Sequence, residues 1–336
     1  MKILELDHHQ KEAWNTFVRN HEHGTFFHLA EWKDILEQAF GLKTFYLYAQ
    51  EGDNIVGVLP LALVKRPLFG PALISTPLCV YGGALGERES LEHAAAEKAR
   101  TLGVQYLELR QQEKGELDWP ESSQFYTFKK LLPQNHEDAL KAIPRKQRAE
   151  VRKGISHNLV TTSNHDIDTF YKIYATSVHG LGTPVFSKKY VETLIKTFQE
   201  NCDITTIFKD DLPLTSVMTF YYKDQIIPYY GGGLPDARNY SAYPYMYWKL
   251  MEKGVDNNMA IFDFGRSMKG SGAFSFKKNF GFEAEALPYQ YHLVKDKDIP
   301  CMDPNTSRNK LITNTWKKIP LPLANFIGPV LYPVIM

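Results

Sequence analysis

The order in which helix-like and strand-like stretches recur is the feature that most restricts the fold of this chain. Lys11 to Asn20 carries Ala13, Trp14, Phe17 and Val18 at helical spacing, and Phe26 to Phe40 marks a second amphipathic stretch stopped by Gly41. A hairpin follows, Phe45 to Gln50 and Ile55 to Val64 about the turn Glu51-Gly52-Asp53-Asn54. Next come Tyr81-Gly82-Gly83, a helix from Glu87 to Gly103, and a strand from Gln105 to Arg110. The plan then recurs. Asp166 to His179 and Lys188 to Asn201 read as helices, and Ile204 to Lys209, Leu214 to Tyr222 and Gln225 to Gly232 as strands ending in glycines. A helix from Ser241 to Asn257 and a strand at 260–264 complete it. Helix-flanked mixed strands in this order predict an α/β (α+β) protein of two similar domains, placed at 1–140 and 141–289.

The stretch Phe262 to Phe282 is the candidate reactive region. A short strand runs through Asp263-Phe264-Gly265-Arg266-Ser267-Met268-Lys269-Gly270 into a helix bearing Lys277 and Lys278, then Gly281-Phe282. A glycine-rich turn with cations presents backbone N–H groups and positive charge to an anionic group. Asp263 is a candidate base, or a cap for the N–H groups of Arg266 or Ser267. Arg266 and Lys269 are candidate donor contacts.

A second cationic feature is Pro144-Arg145-Lys146-Gln147-Arg148-Ala149-Glu150-Val151-Arg152-Lys153-Gly154. Pro144 suits a first helical turn and Gly154 a C-cap. Arg145, Arg148 and Arg152 share one face, with Lys146 and Lys153 beside it. A solvated face explains such a run, and so does a phosphate clamp, for which the arginine fork is well shaped.

Lys and Arg total 39 against 38 Asp and Glu, which excludes a generally basic nucleic-acid coat, so anion binding must be local. Three scattered cysteines, Cys79, Cys202 and Cys301, give no zinc spacing and point to a reducing compartment. Nucleotide-binding glycine motifs, a nucleophile elbow and H-E-x-x-H are absent, and His8-His9 and His21-x-His23 read as surface residues. The first ten residues lack the apolar core of a signal peptide, and no central segment suits a bilayer span. The expected location is cytoplasmic, with the option of the inner face of the membrane. After Lys317-Lys318 the chain is uncharged, with Pro320, Pro322, Pro329 and Pro333, so residues 319–336 are expected to dock on the body or lie on a membrane surface.

Several motifs together resemble the FemAB-like branch of the GNAT acyltransferase superfamily, most closely FemAB-related proteins found with exosortase and exopolysaccharide systems. They are Gly24-Thr25-Phe26-Phe27-His28-Leu29 with Trp32, Val56-Gly57-Val58-Leu59-Pro60-Leu61, Tyr81-Gly82-Gly83, and Pro144-Arg145-Lys146 to Arg152-Lys153. Leu181 to Phe186, Tyr229-Tyr230-Gly231-Gly232-Gly233, Asp263 to Ser267 and Phe276-Lys277-Lys278 to Phe282 complete the set, in order from residue 12 to residue 292.

The resemblance implies two tandem GNAT-like domains, with the tail from residue 290 returning to the first. It implies transfer of an acyl or aminoacyl group to an amine of a cell-envelope precursor, small or lipid-linked, with no tightly bound cofactor or metal. Candidate substrate-binding residues are Arg145, Lys146, Arg148, Arg152, Arg266, Lys269, Tyr81, Trp32 and Tyr230. Ordinary GNAT enzymes close with Tyr-x-Lys-x-Gly-Phe, whose Tyr protonates the leaving thiolate. Lys277 stands at that Tyr position and is the candidate catalytic cation. The GNAT pyrophosphate loop is missing before residue 241, which sets aminoacyl-tRNA beside acyl-coenzyme A as the possible donor. The alternatives are a tRNA-dependent peptidoglycan-bridge peptidyltransferase and a non-catalytic binding protein of a glycan assembly complex.

Overall fold

The computed structural model describes residues 1–67, 69–122, 124–300 and 306–334. The chain divides into two units. The first holds Met1–Phe125, the stretch that begins at Ala286, and the chain from Leu331; the second runs from Tyr126 to Glu285 and takes up the tail helices as far as Val330. The change of unit therefore falls at Phe125/Tyr126 and not at residue 140, because Lys129–Leu131 is already a strand of the second unit's sheet. Cys301 and the rest of 301–305 lie outside the described residues, as do Leu68, Ser123 and 335–336.

In the first unit the sheet runs, in spatial order, Lys2–Glu5, Lys43–Glu51, Asn54–Val64, Ala72–Ser75, Tyr106–Leu109, Tyr289–Leu293 and Glu121–Ser122. Neighbours are antiparallel except Ala72–Ser75 against Tyr106–Leu109. That parallel pair is joined through the helix Arg88–Leu102, as a parallel crossover requires. The helix buries Leu91, Ala95 and Ala99 against Phe45, Leu47, Leu59, Leu61 and Leu107 of the sheet. It ends where Gly103 takes a φ of 61°, a conformation that costs glycine little.

The second unit repeats this plan. Its sheet order is Val160–Asn164, Cys202–Lys209, Leu212–Tyr222, Gln225–Gly233, Ile261–Asp263 and Lys129–Leu131. Again one pair is parallel, Gln225–Gly233 with Ile261–Asp263, and again a helix, Ala242–Asp256, makes the crossover. The helices Ile167–Leu181 and Lys188–Phe198 occupy the places held by Lys11–Asn20 and Glu31–Phe40 in the first unit. On the far side of the parallel pair each sheet takes an antiparallel strand, Lys129–Leu131 here and Tyr289–Leu293, followed by Glu121–Ser122, there.

The arginine-bearing helix runs Arg145–Ser156, past the expected stop at Gly154. That glycine is buried inside it, and a Cβ there would lie 2.7 Å from the Cβ of Tyr245 on Ala242–Asp256. The residue thus serves close helix packing. The tail is helical despite its prolines. Ser307–Lys318 is followed by Leu321–Leu331, with Pro322 in the first turn, where a missing N–H costs nothing, and only Pro329 inside. Among the described residues no helix is long and apolar enough to cross a membrane.

His28 ties the first unit's aromatic turn to its glycine loop. Its Nε2 lies 3.0 Å from the Gly83 carbonyl oxygen, an acceptor only, so this nitrogen carries the hydrogen. Nδ1 then accepts from the Thr25 hydroxyl at 2.7 Å. Burial pushes the His28 pKa down to about 3, the Gly83 contact opposing it. Above the unfolded value near 6.5 neither state binds this proton; below it the unfolded chain does first, so stability is lost as pH falls. From pH 7 to pH 5 His28 should cost about 2 kcal/mol. Urea titrations of wild type and His28→Gln at the two pH values check this: the wild type should lose the more, and equal losses would contradict it.

Candidate active site

The reactive region of the second unit begins where two parallel strands part. Gln225–Gly233 pairs with Ile261–Asp263 only at Gln225–Ile261 and Ile226–Phe262. On its other edge the same strand stays paired with Leu212–Tyr222 out to Gly233. Beyond Ile227 come Pro228, which has no N–H, and a register shift opposite Met218/Thr219 that leaves Tyr229 bulged. Both bend the strand away from its parallel neighbour. Tyr247 of the crossover helix spans the parting. A Cβ on Gly231 would lie 3.2 Å from its hydroxyl, and its ring stands edge-on to Phe264 at 4.7 Å. Burial raises the Tyr247 pKa, so the hydroxyl stays protonated. The motif comparison did not single out this residue, whose sequence surroundings read as ordinary helix.

At the end of Ile261–Asp263 the buried Asp263 turns its Oδ1 to the Gly265 N–H at 2.7 Å. This is a capping role at the start of the loop, with the Gly265 N–H as a partner. Its Oδ2 is 3.7 Å from Lys129 Nζ. Gly265 takes a φ of 64°, and Ser271 caps the helix Gly272–Asn279 by accepting from the Phe274 N–H. From that helix Lys277 turns back under the loop. Its Nζ donates to the carbonyls of Phe264 at 2.7 Å, Gly265 at 3.1 Å and Arg266 at 3.0 Å. The rings of Phe128 and Phe264 flank it at 5.3 and 5.7 Å. An ammonium has three hydrogens, and all three are directed to the loop, so Lys277 fixes the loop's backbone. Burial pulls its pKa down to about 7, the Asp263 carboxylate opposing and Arg266 adding to the pull. A neutral amine would leave one carbonyl without its donor.

Arg145, Lys146 and Arg152 are exposed on their helix, and Arg148 is half-buried, donating to the Lys141 carbonyl at 3.0 Å. Among the described residues no carboxylate pairs with these four or with Lys153, whereas Lys11, Lys33, Lys98, Lys188 and Lys253 each have one. The one acid of the helix, Glu150, accepts from the Ser241 hydroxyl at 2.6 Å and is spent there. This helix starts beside the end of the lysine helix, where a Cβ on Gly281 would fall 2.7 Å from Pro144 Cδ. Arg266 is half-buried in the loop, and the exposed Lys269 lies over the Tyr126 ring at 5.8 Å.

Three expected substrate contacts are buried. Trp32 is 0% exposed and its indole N–H donates to the Phe26 carbonyl at 3.0 Å. Tyr81 is 1% exposed, its ring against Phe27. Tyr230 is 8% exposed, shares a hydrogen bond with the Tyr190 hydroxyl at 2.8 Å, and meets Phe186 and Tyr174 edge-on. A cavity of about 200 Å³ in the first unit is lined by His21, His23, Gly83, Arg88, Gln111 and Glu113, among others. No cluster of metal-ligating side chains occurs among the described residues.

Replacing Lys277 with Met should leave three carbonyls without their charged donor and cost about 3 kcal/mol in stability. Denaturant unfolding of Lys277→Met against wild type checks this, and a loss well under 1 kcal/mol would show that the loop stands without it.

Residues 139–278 match the family described as "Acetyltransferase (GNAT) domain". No curated protein matches the sequence. Among solved structures, FemX is similar over 88% of this chain and 98% of its own, with a TM-score of 0.64 and 13% identity. A tandem GNAT protein from the clavulanic acid biosynthesis pathway is similar over 88% and 99%, with a TM-score of 0.55 and 13% identity. The C-terminal domain of a putative lysylphosphatidylglycerol synthetase from Agrobacterium fabrum covers 86% and 92%, with a TM-score of 0.57 and 11% identity. Residues 139–278 thus match the GNAT acetyltransferase domain family, in a chain whose fold is similar to FemX and to a tandem GNAT protein.

Proposed function

We propose that this N-acyltransferase moves an activated acyl or aminoacyl group onto an amine of a cell-envelope or exopolysaccharide precursor. On this reading it works in the cytoplasm, at the inner face of the membrane, with residues 319–336 as the contact. The observation that carries the choice of substrate is the five-cation face of Arg145–Ser156 without a carboxylate partner, beside the end of the lysine helix. Such a face suits a phosphate-bearing co-substrate.

The chemistry is attack of the amine on the carbonyl carbon of an ester or thioester. The C–N bond forms, the bond to the leaving oxygen or sulfur breaks, and the leaving group takes a proton. The parted strands Gln225–Gly233 and Ile261–Asp263 offer the place for the acyl group. Tyr247, protonated and beside Gly231, is the group we assign to hydrogen-bond the leaving atom. The loop held by Lys277 positions Arg266 and Lys269.

Between the two donors, one feature favours aminoacyl-tRNA. Ser241 stands at the N-cap position of the crossover helix Ala242–Asp256 without a side-chain capping bond, because its hydroxyl donates to the Glu150 carboxylate. A negative charge already sits at that helix N-terminus, where a coenzyme A pyrophosphate would gain most from the backbone N–H groups. The similarity to a lysylphosphatidylglycerol synthetase, which by its name handles a lysyl group and a phospholipid, agrees with an aminoacyl donor. A peptidoglycan-bridge peptidyltransferase is the form this second reading takes.

Calorimetry and thermal shift against acyl-coenzyme A species, tRNA and uridine-diphosphate sugars test the proposal. The tRNA affinity should fall with salt, and Arg148→Glu with Arg152→Glu should weaken it about tenfold or more and flatten the salt slope. Binding of acyl-coenzyme A alone, untouched by these changes, would reverse the choice of donor. With an acceptor in hand, Tyr247→Phe should lower kcat about a hundredfold while the unfolding midpoint stays put; unchanged kcat would remove Tyr247 from the reaction.

A further inference from the structure

The final described part of the second unit carries an apolar surface that no core accounts for. In Leu321–Leu331 the side bearing Ala324 and Gly328 is buried, and a Cβ on Gly328 would lie 3.1 Å from the Val185 backbone. The opposite side shows Leu323, Phe326 and Val330, three and four residues apart and so in one stripe; Phe326 is 79% and Val330 73% exposed. The preceding helix Ser307–Lys318 buries Trp316 and exposes Leu311 to 68%, with Lys317 and Lys318 also exposed. The His179 ring bonds the Ile319 carbonyl at 2.8 Å, which fixes the joint between the helices against Ile167–Leu181. Leu181, at the end of that helix, is itself exposed.

Charge selects the occupant. From Pro304 to Met336 the sequence holds Arg308, Lys310, Lys317 and Lys318 and no acid, in a chain whose charges otherwise balance. A second copy of this chain would bring the same cations against each other across an isologous contact. An anionic bilayer surface offers apolar depth for Phe326 and Val330, and phosphates for the lysines at the edge. An eleven-residue helix with Pro329 inside lies in such an interface and does not span it.

We propose that the helices Ser307–Lys318 and Leu321–Leu331 form a docking face for anionic phospholipid bilayers. Phe326, Val330 and Leu323 enter the headgroup–acyl boundary, and Lys317 and Lys318 meet the phosphates. This deepens the membrane placement proposed for the enzyme and stands apart from its transfer chemistry, since vesicle binding is read without donor or acceptor.

The test is co-sedimentation of the full chain with vesicles of phosphatidylcholine alone or containing about one-third phosphatidylglycerol. Binding should be stronger to the anionic vesicles and weaken with salt. Phe326→Ser with Val330→Ser should lower partitioning at least about tenfold at an unchanged melting temperature, because both side chains are exposed. Lys317→Glu with Lys318→Glu should remove the preference for anionic lipid. No binding to either vesicle would overturn the proposal, as would binding that the substitutions leave intact. A dimer by light scattering that Phe326→Ser with Val330→Ser splits would also overturn it, since a second copy would then cover the face.

Discussion

One buried ammonium sets the terms for the second unit's glycine-rich loop. Three consecutive carbonyls, from Phe264, Gly265 and Arg266, converge on Lys277 Nζ, an arrangement a peptide turn cannot hold by itself because the carbonyl dipoles repel. The helix Gly272–Asn279 exists, in effect, to return that charge beneath the strand that precedes it. Asp263 supplies the compensating carboxylate and the cap on Gly265, so charge and geometry of the loop are closed locally. Gly265 and Gly281 stand at positive φ on either side of this circuit, where most other residues would be strained.

The same logic separates working cations from structural ones. Lys277 is buried and saturated; Lys129 is drawn to Asp263; Lys130 donates to the Ala142 carbonyl. What is left over is the arginine helix, whose one acid is turned inward to Ser241. A chain with nearly equal charges can still present a strongly positive surface when its carboxylates are committed elsewhere.

Much of this architecture was legible because periodicity reports burial. The hairpins, the crossover helices and the doubled plan all follow from apolar spacing and glycine stops, and the arginine face from its three- and four-residue steps. Short edge strands escaped. Lys129–Leu131 and Val160–Asn164 are too brief and too polar to alternate, and they belong to a sheet only through their partners. The tail helices were not read from the sequence, which left residues 319–336 as a docking or membrane-surface segment. At the site, residue type was readable but direction was not. Lys277 was found, yet only coordinates show that it points at its own loop. Trp32, Tyr81 and Tyr230 had the chemistry of ligand contacts and the environment of core. Tyr247 had no motif at all, because its position depends on a bulge at Tyr229 that no local pattern announces.

These two antiparallel strands carry a consequence for how the chain comes to exist. The first sheet waits for Tyr289–Leu293, which leaves the ribosome after the whole of the second sheet has been made. The second sheet takes its last strand, Lys129–Leu131, from ahead of its own first one. During synthesis the earlier half must persist with Tyr106–Leu109 lacking its partner on that side until the later half has been made. An exposed edge held open for so long is where wrong pairing begins. For the same reason a cut at residue 140 separates no module: each fragment leaves behind or lacks a strand, and an excised segment of residues 139–278 would start with one side of its sheet bare.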